Sequence, residues 1–249
     1  MSFWNVAKRV IKESHVVLFI CDARMPELSQ NKEVEEYLEY LGKKYLMVFN
    51  KQDLVGKEQL GKLKKEYPGA YFVSGRDNIG IRELRRGLQI LGKDLERDPL
   101  RVGVVGYPNV GKSSIINVLC RRAKTVVSSV AGTTKGLQYV KVGSLWIIDS
   151  PGVIDYYDRG GKLGIIGAKD PQKLRNPEQT ACDILGYVMG HNHKALEDYA
   201  GGKLEGSDNF ELLLDLGKKK GHLRKGGVVD ERRIANQVIR DWQQGKLRV

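Results

Sequence analysis

Short apolar runs alternate with amphipathic stretches over the first 150 residues of the chain. The runs Val16–Asp22 and Tyr45–Asn50 are almost wholly apolar before their last residue, a pattern typical of strands buried on both faces of a sheet. The stretches between such runs carry apolar residues at helical spacing, as in the segment 81–95. This alternation predicts an α/β domain, in which helices cover both faces of a mostly parallel sheet. The predicted strands are 16–22, 45–50, 70–74, 101–106, 137–142 and 145–149, and the predicted helices are 3–14, 31–41, 57–67, 81–95 and 112–121.

The pattern changes beyond residue 150. Residues 155–176 are rich in Gly, Lys and Asp, which predicts a mobile connection, and only helices are expected after it, at 178–189, 210–219 and 230–244. A length of 249 residues accommodates two modest domains. We therefore expect an α/β domain over 1–157, a flexible connection over 158–176 and a small all-helical domain over 177–249.

The composition argues against a membrane or secreted protein. No apolar run approaches the ~18 residues that suggest a membrane-spanning helix, and the first residues lack the apolar core of a signal peptide. The cysteines Cys21, Cys120 and Cys182 lie far apart in apolar contexts, so we expect reduced packing residues. The expected location is cytoplasmic.

Residues 106–113, GYPNVGKS, match the pattern G-x-x-x-x-G-K-[ST] between a predicted strand and a predicted helix. In that setting backbone N–H groups and the start of the helix cradle phosphate groups, the lysine reaches the β and γ oxygens, and the following serine ligates Mg²⁺. The sequence thus predicts a P-loop. The residues expected at the phosphates are Asn109, Val110, Gly111, Lys112, Ser113 and Ser114.

Two shorter motifs follow the P-loop. Residues 149–152, DSPG, end a predicted strand, so Asp149 can hold Mg²⁺ through water and the Gly152 N–H can meet the γ-phosphate. Residues 131–136, AGTTKG, contain Thr133 and Thr134, either of which can complete the Mg²⁺ shell. The candidate catalytic residues are Lys112, Thr133, Thr134 and Gly152, and the candidate Mg²⁺ ligands are Ser113, Thr134 and Asp149.

Residues 50–53, NKQD, end the second predicted strand and are suited to reading a guanine base. The Asp53 carboxylate can accept hydrogen bonds from the guanine N1–H and exocyclic amine, a donor pair that adenine lacks, while Asn50 and the Lys51 stem support the ring. Ser74 and Gly75, which end the next strand, are placed for a backbone donor to the guanine oxygen. By itself NKQD is also compatible with a helix-capping aspartate after a surface turn, but together with a P-loop it indicates GTP rather than ATP.

The order of the motifs differs from that of a conventional small GTPase, in which NKxD and the serine turn come last. Here both precede the P-loop, so the domain is circularly permuted. With residues 22–26, DARMP, and the basic stretch 220–247, the chain resembles the YlqF/YawG group of permuted GTPases, which is related to the nucleolar GTP-binding proteins that assist large ribosomal subunit assembly. The resemblance implies a permuted P-loop GTPase fold, binding of GTP or GDP with Mg²⁺, and hydrolysis of GTP to GDP and phosphate.

Two departures from that group bear on catalysis. Its bacterial members share an N-terminal P-G-H-M stretch whose histidine is implicated in hydrolysis, and this chain begins MSFWNVAKRV instead. Val153 follows DSPG, where many GTPases carry a water-orienting glutamine. We therefore expect slow intrinsic hydrolysis. Asn109 resembles the asparagine that ligates K⁺ in related GTPases, so stimulation by K⁺ is a hypothesis, with an ordinary loop asparagine as its alternative.

Basic charge is concentrated at the end of the chain. There are 42 Lys and Arg against 30 Asp and Glu, a net charge of +12, and the last 33 residues hold ten basic and three acidic residues, or +7 of that total. Such a module fits binding to the phosphate backbone of structured RNA, although a solvated basic face would have the same composition.

The expected partners are a precursor of the large ribosomal subunit and its rRNA, with no membrane and no DNA, and the chain is expected to be a monomer off the ribosome. The GTP form would dock on the precursor, and the assembled RNA would promote hydrolysis and release. Two alternatives stay open: a GTPase that acts on tRNA or another RNA, and a GTP-gated scaffold with negligible hydrolysis.

Overall fold

The computed structural model describes residues 3–120, 126–128, 139–155 and 161–249. They form two compact units: residues 1–53 with 62–156, and residues 54–61 with 157–249. The strands are β1 (Val16–Asp22), β2 (Tyr45–Asn50), β3 (Tyr71–Phe72), β4 (Leu100–Val105), β5 (Val126–Ser128), β6 (Tyr139–Val142) and β7 (Leu145–Asp149). The helices are α1 (Phe3–Glu13), α2 (Pro26–Ser29), α3 (Lys32–Tyr40), α4 (Lys57–Glu66), α5 (Ile81–Asp94), α6 (Lys112–Cys120), α7 (Gly161–Ile165), α8 (Pro177–His191), α9 (His193–Ala200), α10 (Asn209–Lys219) and α11 (Glu231–Gln243).

The first unit is built on a seven-stranded sheet in the order β3-β2-β1-β4-β7-β6-β5. The first five strands in this order, β3, β2, β1, β4 and β7, run parallel. Strands β6 and β5 add an antiparallel edge. Every residue of β1 is buried, as expected for a central strand covered on both faces. The predicted α/β fold with a mostly parallel sheet is therefore confirmed.

This topology brings distant parts of the sequence to one edge of the sheet. The carboxyl ends of neighbouring parallel strands meet at the same edge, which is where ligands bind in open α/β sheets. DARMP ends and follows β1, NKQD ends and follows β2, GYPNVGKS follows β4, and DSPG ends and follows β7. The site is therefore expected along this edge.

The second unit is helical, as predicted, but it begins earlier than the sequence indicates. The described part of the expected mobile connection, 161–176, contains α7 and a 3-10 turn at Pro171–Lys173. Trp242 of α11 is fully buried, and its indole Nε1–H donates to the Ile165 carbonyl at 2.7 Å. Glycine disfavours a helix in isolation, and packing of α7 against α8 and α11 supplies the stability that its sequence lacks.

Residues just after NKQD also belong to the second unit. The Val249 N–H donates to the Leu54 carbonyl at 2.9 Å, and the Gly56 N–H donates to the Val249 carbonyl. A boundary at residue 157 therefore omits the segment 54–61, which the linear pattern assigns to the α/β domain. Helix α9 was also missed, because it is only eight residues long and directly follows α8, although its apolar positions follow helical spacing.

The three cysteines are free thiols, with Cys21 and Cys182 buried, in agreement with packing roles. Among the described helices, none combines the length and the apolar character that crossing a bilayer demands.

Candidate nucleotide-binding site

The side chain of Asn50 joins three motifs at the carboxyl edge of the sheet. Its Nδ2 donates to the Val110 carbonyl of the P-loop at 2.8 Å, and its Oδ1 accepts from the Gly75 N–H at 2.9 Å. Asn50 lies at the end of β2 and is 3% exposed, so both bonds are made out of water. One amide thus links NKQD to the phosphate loop and to the serine turn.

The P-loop requires glycine at two positions because other groups approach it closely. Gly106 has φ of +148°, and a Cβ there would lie 2.3 Å from the Ile20 carbonyl oxygen. Gly111 has φ of +96°, and a Cβ there would lie 2.1 Å from Asn50 Nδ2. Neither contact is tolerated by a larger residue, so the pattern G-x-x-x-x-G in this chain is a steric demand of the folded loop.

Lys112 begins α6 and folds back over the loop. Its Nζ donates to the carbonyls of Gly106 at 3.2 Å and Tyr107 at 2.8 Å, and the residue is only 7% exposed. Burial lowers the pKa of Lys112 to about 8, and the Asp149 carboxylate opposes the shift. The ammonium group therefore lies inside a loop of backbone dipoles, a setting that fits a phosphate anion.

The DSPG motif lies against the P-loop. The Ser150 hydroxyl donates to the Val104 carbonyl at 2.7 Å, and a Cβ at Gly152 would lie 2.6 Å from the Pro108 backbone nitrogen. Asp149 is exposed at the end of β7, within electrostatic reach of Lys112. This places Asp149 and Gly152 beside the phosphate loop, as the predicted roles need.

The residue after DSPG is held by its backbone on both sides. The Val153 N–H donates to the Gly106 carbonyl at 3.2 Å, and its carbonyl accepts from Asn31 Nδ2 at 3.0 Å. Its side chain is 1% exposed and packs in the core. Val153 is therefore a buried core residue at the position where many GTPases carry a water-orienting glutamine.

The guanine-reading residues lie together beside these loops. Asp53 is in a 3-10 turn at Gln52–Leu54, and its Oδ2 accepts from Arg76 Nη2 at 2.8 Å. The turn is fastened to β3 because Gln52 Nε2 donates to the Phe72 carbonyl at 2.8 Å. The Gly75 N–H, expected to contact the guanine oxygen, donates to Asn50 instead, so a base contact there requires a shared hydrogen bond.

The structure brings together most of the predicted site residues. Asn109 has φ of 60° and is exposed at the tip of the P-loop, and Ser113 and Ser114 are exposed in the first turn of α6. Val110 is buried, so only its backbone is available. Thr133 and Thr134 lie outside the described residues. Within the described ranges, no three His, Cys, Asp or Glu side chains converge on a metal position.

Sequence reasoning assigned no chemistry to Asp22, Arg24 and Asn31, which the structure places at the site. The Asp22 carboxylate forms a 2.8 Å ion pair with Lys51 Nζ, and Asn31 holds the residue after DSPG. The signal that could have found Asp22 is its place: like Asn50, it ends a buried parallel strand.

The chain is similar to known GTP-binding proteins. A family model described as "50S ribosome-binding GTPase" matches residues 101–210. An uncharacterized GTP-binding protein of Methanocaldococcus jannaschii is 39% identical over 98% of this chain, which spans 65% of that protein. Nucleolar GTP-binding protein 2 of Pneumocystis carinii is 35% identical over 98% of this chain, which spans 52% of that protein.

Solved structures of YlqF share the fold. GDP-bound YlqF covers 97% of this chain and 95% of its own at a TM-score of 0.64 and 23% identity. GNP-bound YlqF from T. maritima covers 97% of this chain and 93% of its own at a TM-score of 0.59. The resemblance drawn from the motifs is thereby confirmed: this chain is a relative of the nucleolar GTP-binding proteins and has the circularly permuted GTPase fold of YlqF.

Proposed function

We propose that this chain binds GTP at the carboxyl edge of its sheet, hydrolyses it to GDP and phosphate, and thereby times a step of large ribosomal subunit assembly. The observation that carries the proposal is the Asn50 amide, which ties the guanine-reading motif to the P-loop. Two half-sites for base and phosphate, joined by buried hydrogen bonds, support one nucleotide site. The 50S ribosome-binding description of the matching family supports the ribosomal partner.

Each proposed role follows from a position in this site. Asp53 accepts from the guanine N1–H and exocyclic amine, and the Lys51 stem covers the base plane. Lys112 pairs with the β- and γ-phosphates, while Ser113, Asp149 and one of Thr133 or Thr134 are suited to hold Mg²⁺, which would neutralise charge on the phosphates. The Gly152 N–H faces the γ-phosphate and registers its loss.

The structure supports slow hydrolysis by the isolated chain. Val153 offers neither a polar side chain nor a free backbone group to orient the attacking water. Faster hydrolysis would then need a group supplied by the assembled RNA, or a cation. Asn109, exposed on the P-loop turn, is the proposed ligand for K⁺.

A basic surface on the second unit supports RNA binding. Nine of the ten basic residues among the last 33 are exposed. Lys219, Arg224 and Lys246 pair with neighbouring aspartates, and the other six are Lys218, Lys225, Arg232, Arg233, Arg240 and Arg248. Lys225 lies within a tight turn in which the Arg224 N–H donates to the Val228 carbonyl at 2.8 Å, and Lys218 is in the last turn of α10. Exposed cations suit phosphate-backbone contacts. Nucleotide state would reach this surface through residues 158–176, which follow DSPG in the chain.

Two alternatives predict different behaviour. A GTPase that acts on tRNA would use the same basic surface but bind tRNA in preference to rRNA. A GTP-gated scaffold would bind subunits in the GTP form without turnover, and the buried Val153 favours this alternative over a fast enzyme. Cosedimentation with large subunits in a GTP analogue and in GDP, followed by single-turnover hydrolysis with and without subunits, separates the three.

Replacement of Na⁺ by K⁺ should accelerate GTP hydrolysis. If Asn109 holds K⁺, the cation supplies positive charge where an arginine finger otherwise acts. Rates are measured in matched KCl and NaCl buffers with wild type and Asn109→Ala. Equal wild-type rates in the two salts would remove K⁺ from the proposal.

Asp53→Asn should weaken GDP and GTP binding by about 10- to 100-fold, because a bidentate contact to a base carries about 1–3 kcal/mol of discrimination. Affinity for xanthine nucleotides should rise, since the new amide can donate to the second carbonyl of xanthine. Fluorescence titration gives both constants. Asp77→Asn is the matched control, because Asp77 also contacts Arg76 but is exposed. Unchanged guanine affinity in Asp53→Asn would contradict the base site.

GDP affinity should fall as the pH rises above about 8, the pKa to which burial lowers Lys112. The reason is that the free protein then loses the Lys112 proton, which must be regained to pair with phosphate. Below this pH the lysine is already charged and affinity should be flat. Between pH 8 and 9 the loss should approach about tenfold at most. The Lys112→Met variant should not show this loss of GDP affinity between pH 8 and 9. A pH profile identical to that of the wild type would contradict the role of the Lys112 proton.

Combined Lys218→Ala, Lys225→Ala and Arg232→Ala changes should reduce the salt dependence of rRNA binding. Three lost phosphate contacts lower the slope of log K against log salt by roughly 2–3. The control carries Lys64→Ala, Lys65→Ala and Lys93→Ala, three exposed lysines outside the second unit. Binding is measured by filter retention over a salt series, with tRNA as competitor. An equal effect of both triple variants would argue against a localised RNA surface.

A further inference from the structure

A buried cluster of charged side chains lies beside the guanine-reading motif. Asp22 ends β1 directly opposite Asn50 in the parallel register of β1 and β2. The side chains of Asp22 and Arg24 are each 1% exposed, and that of Lys51 is 19% exposed. Charges are seldom buried to this degree unless they are paired, because the loss of hydration must be offset by partners.

The carboxylate of Asp22 is engaged on both oxygens. Oδ1 accepts from the Arg24 backbone N–H at 3.0 Å and from Arg24 Nε at 3.1 Å, and Oδ2 accepts from Arg24 Nη2 at 2.9 Å. Oδ2 also pairs with Lys51 Nζ at 2.8 Å. The Asp22 backbone is fixed as well, because its N–H donates to the Ser29 hydroxyl at 2.9 Å. The acceptor for Lys51 is therefore rigid before any nucleotide binds.

Lys51 needs such a partner because its backbone is unfavourable. Its φ is 65°, in the left-handed region that residues with a Cβ rarely adopt. This conformation allows the chain to turn from β2 into the 3-10 turn that carries Asp53. A flexible lysine at that turn would sample many rotamers unless its ammonium group were held.

The charges of the cluster are consistent with a permanently ionised carboxylate. Burial alone would raise the pKa of Asp22, but Arg24 and Lys51 hold it well below its usual range. Burial lowers the pKa of Lys51, and Asp22 opposes that shift. Two cations thus face one anion, and Arg24 supplies the charge that keeps Asp22 ionised while Lys51 takes up its position.

We propose that Asp22 is a positioning residue for guanine recognition: it fixes the Lys51 ammonium and so sets the Lys51 stem against the plane of the base. The inference rests on the proposed base site, in which Lys51 covers the ring. It gives the aspartate of DARMP a physical role, and it makes Arg24 the counterion that maintains this role.

The test is a double-mutant cycle on GDP affinity in the full chain, with wild type, Asp22→Asn, Lys51→Met and the double variant. Asp22→Asn should weaken GDP and GTP binding equally, by about tenfold, the effect of one charge-assisted hydrogen bond. In the Lys51→Met background the same change should alter affinity by less than about twofold, because the group it positions is gone. Asp22→Glu, which keeps the charge, should restore part of the loss.

Several outcomes would overturn the inference. An equal loss in both backgrounds would show that Asp22 acts on the fold in general, and no loss in the wild-type background would show that it does not act at all. If Lys51→Met itself leaves GDP affinity unchanged, the proposed base site is wrong. Asp241→Asn, which removes a buried carboxylate paired with Lys246 in the second unit, is the control and should leave GDP affinity unchanged.

A measurement on the wild type covers the case in which Asp22→Asn fails to fold. The Lys51 ammonium protons in ¹⁵N-labelled, nucleotide-free protein should exchange with water at least about tenfold more slowly than those of exposed Lys64, because a buried ion pair restricts access. Lys51 is assigned with Lys51→Arg. Exchange as fast as that of Lys64 would contradict a fixed ammonium group.

Discussion

The geometry of the candidate site depends on one buried amide. Asn50 donates to the P-loop at Val110 and accepts from the serine turn at Gly75, so two loops from different strands share a single rigid link. Both polar atoms are removed from water, where an unmade hydrogen bond costs about 1–3 kcal/mol. The loops are therefore held at a fixed separation. A site that binds base and phosphate at once needs that separation to be constant.

The need for close approach explains why small residues recur around Asn50. Gly111 leaves room for the amide, and Gly152 lets DSPG lie against Pro108. Gly75 brings the serine turn to the first turn of α6, where a Cβ would lie 3.0 Å from Ser114 Cβ. In each case an atom of one motif occupies the space that a side chain at the glycine of another motif would fill. The motifs therefore form one packed unit, and a substitution in one of them displaces its neighbour.

The segment after β1 adds a second link within the first unit. At its start Asp22 holds Lys51 of the base motif, and a few residues later Asn31 holds Val153 after DSPG. Ser29 closes the turn after β1, since its hydroxyl accepts from the Asp22 N–H and donates to the Met25 carbonyl. One segment, residues 22–31, therefore contacts both NKQD and the residue after DSPG.

The sequence by itself determined the parallel sheet, the helical second half, the P-loop, NKQD, DSPG and their permuted order, because strand burial and glycine spacing are local properties of the chain. Only the tertiary structure decided how these pieces meet: the Asn50 bridge, the pair of Asp22 with Lys51, and the packing of Val153. It also assigned residues 54–61 and 161–176 to the helical unit, although both lie outside the helical domain that the sequence predicts. Contacts between residues far apart in the chain leave no periodic signal, and they exist only once the strands have been placed side by side.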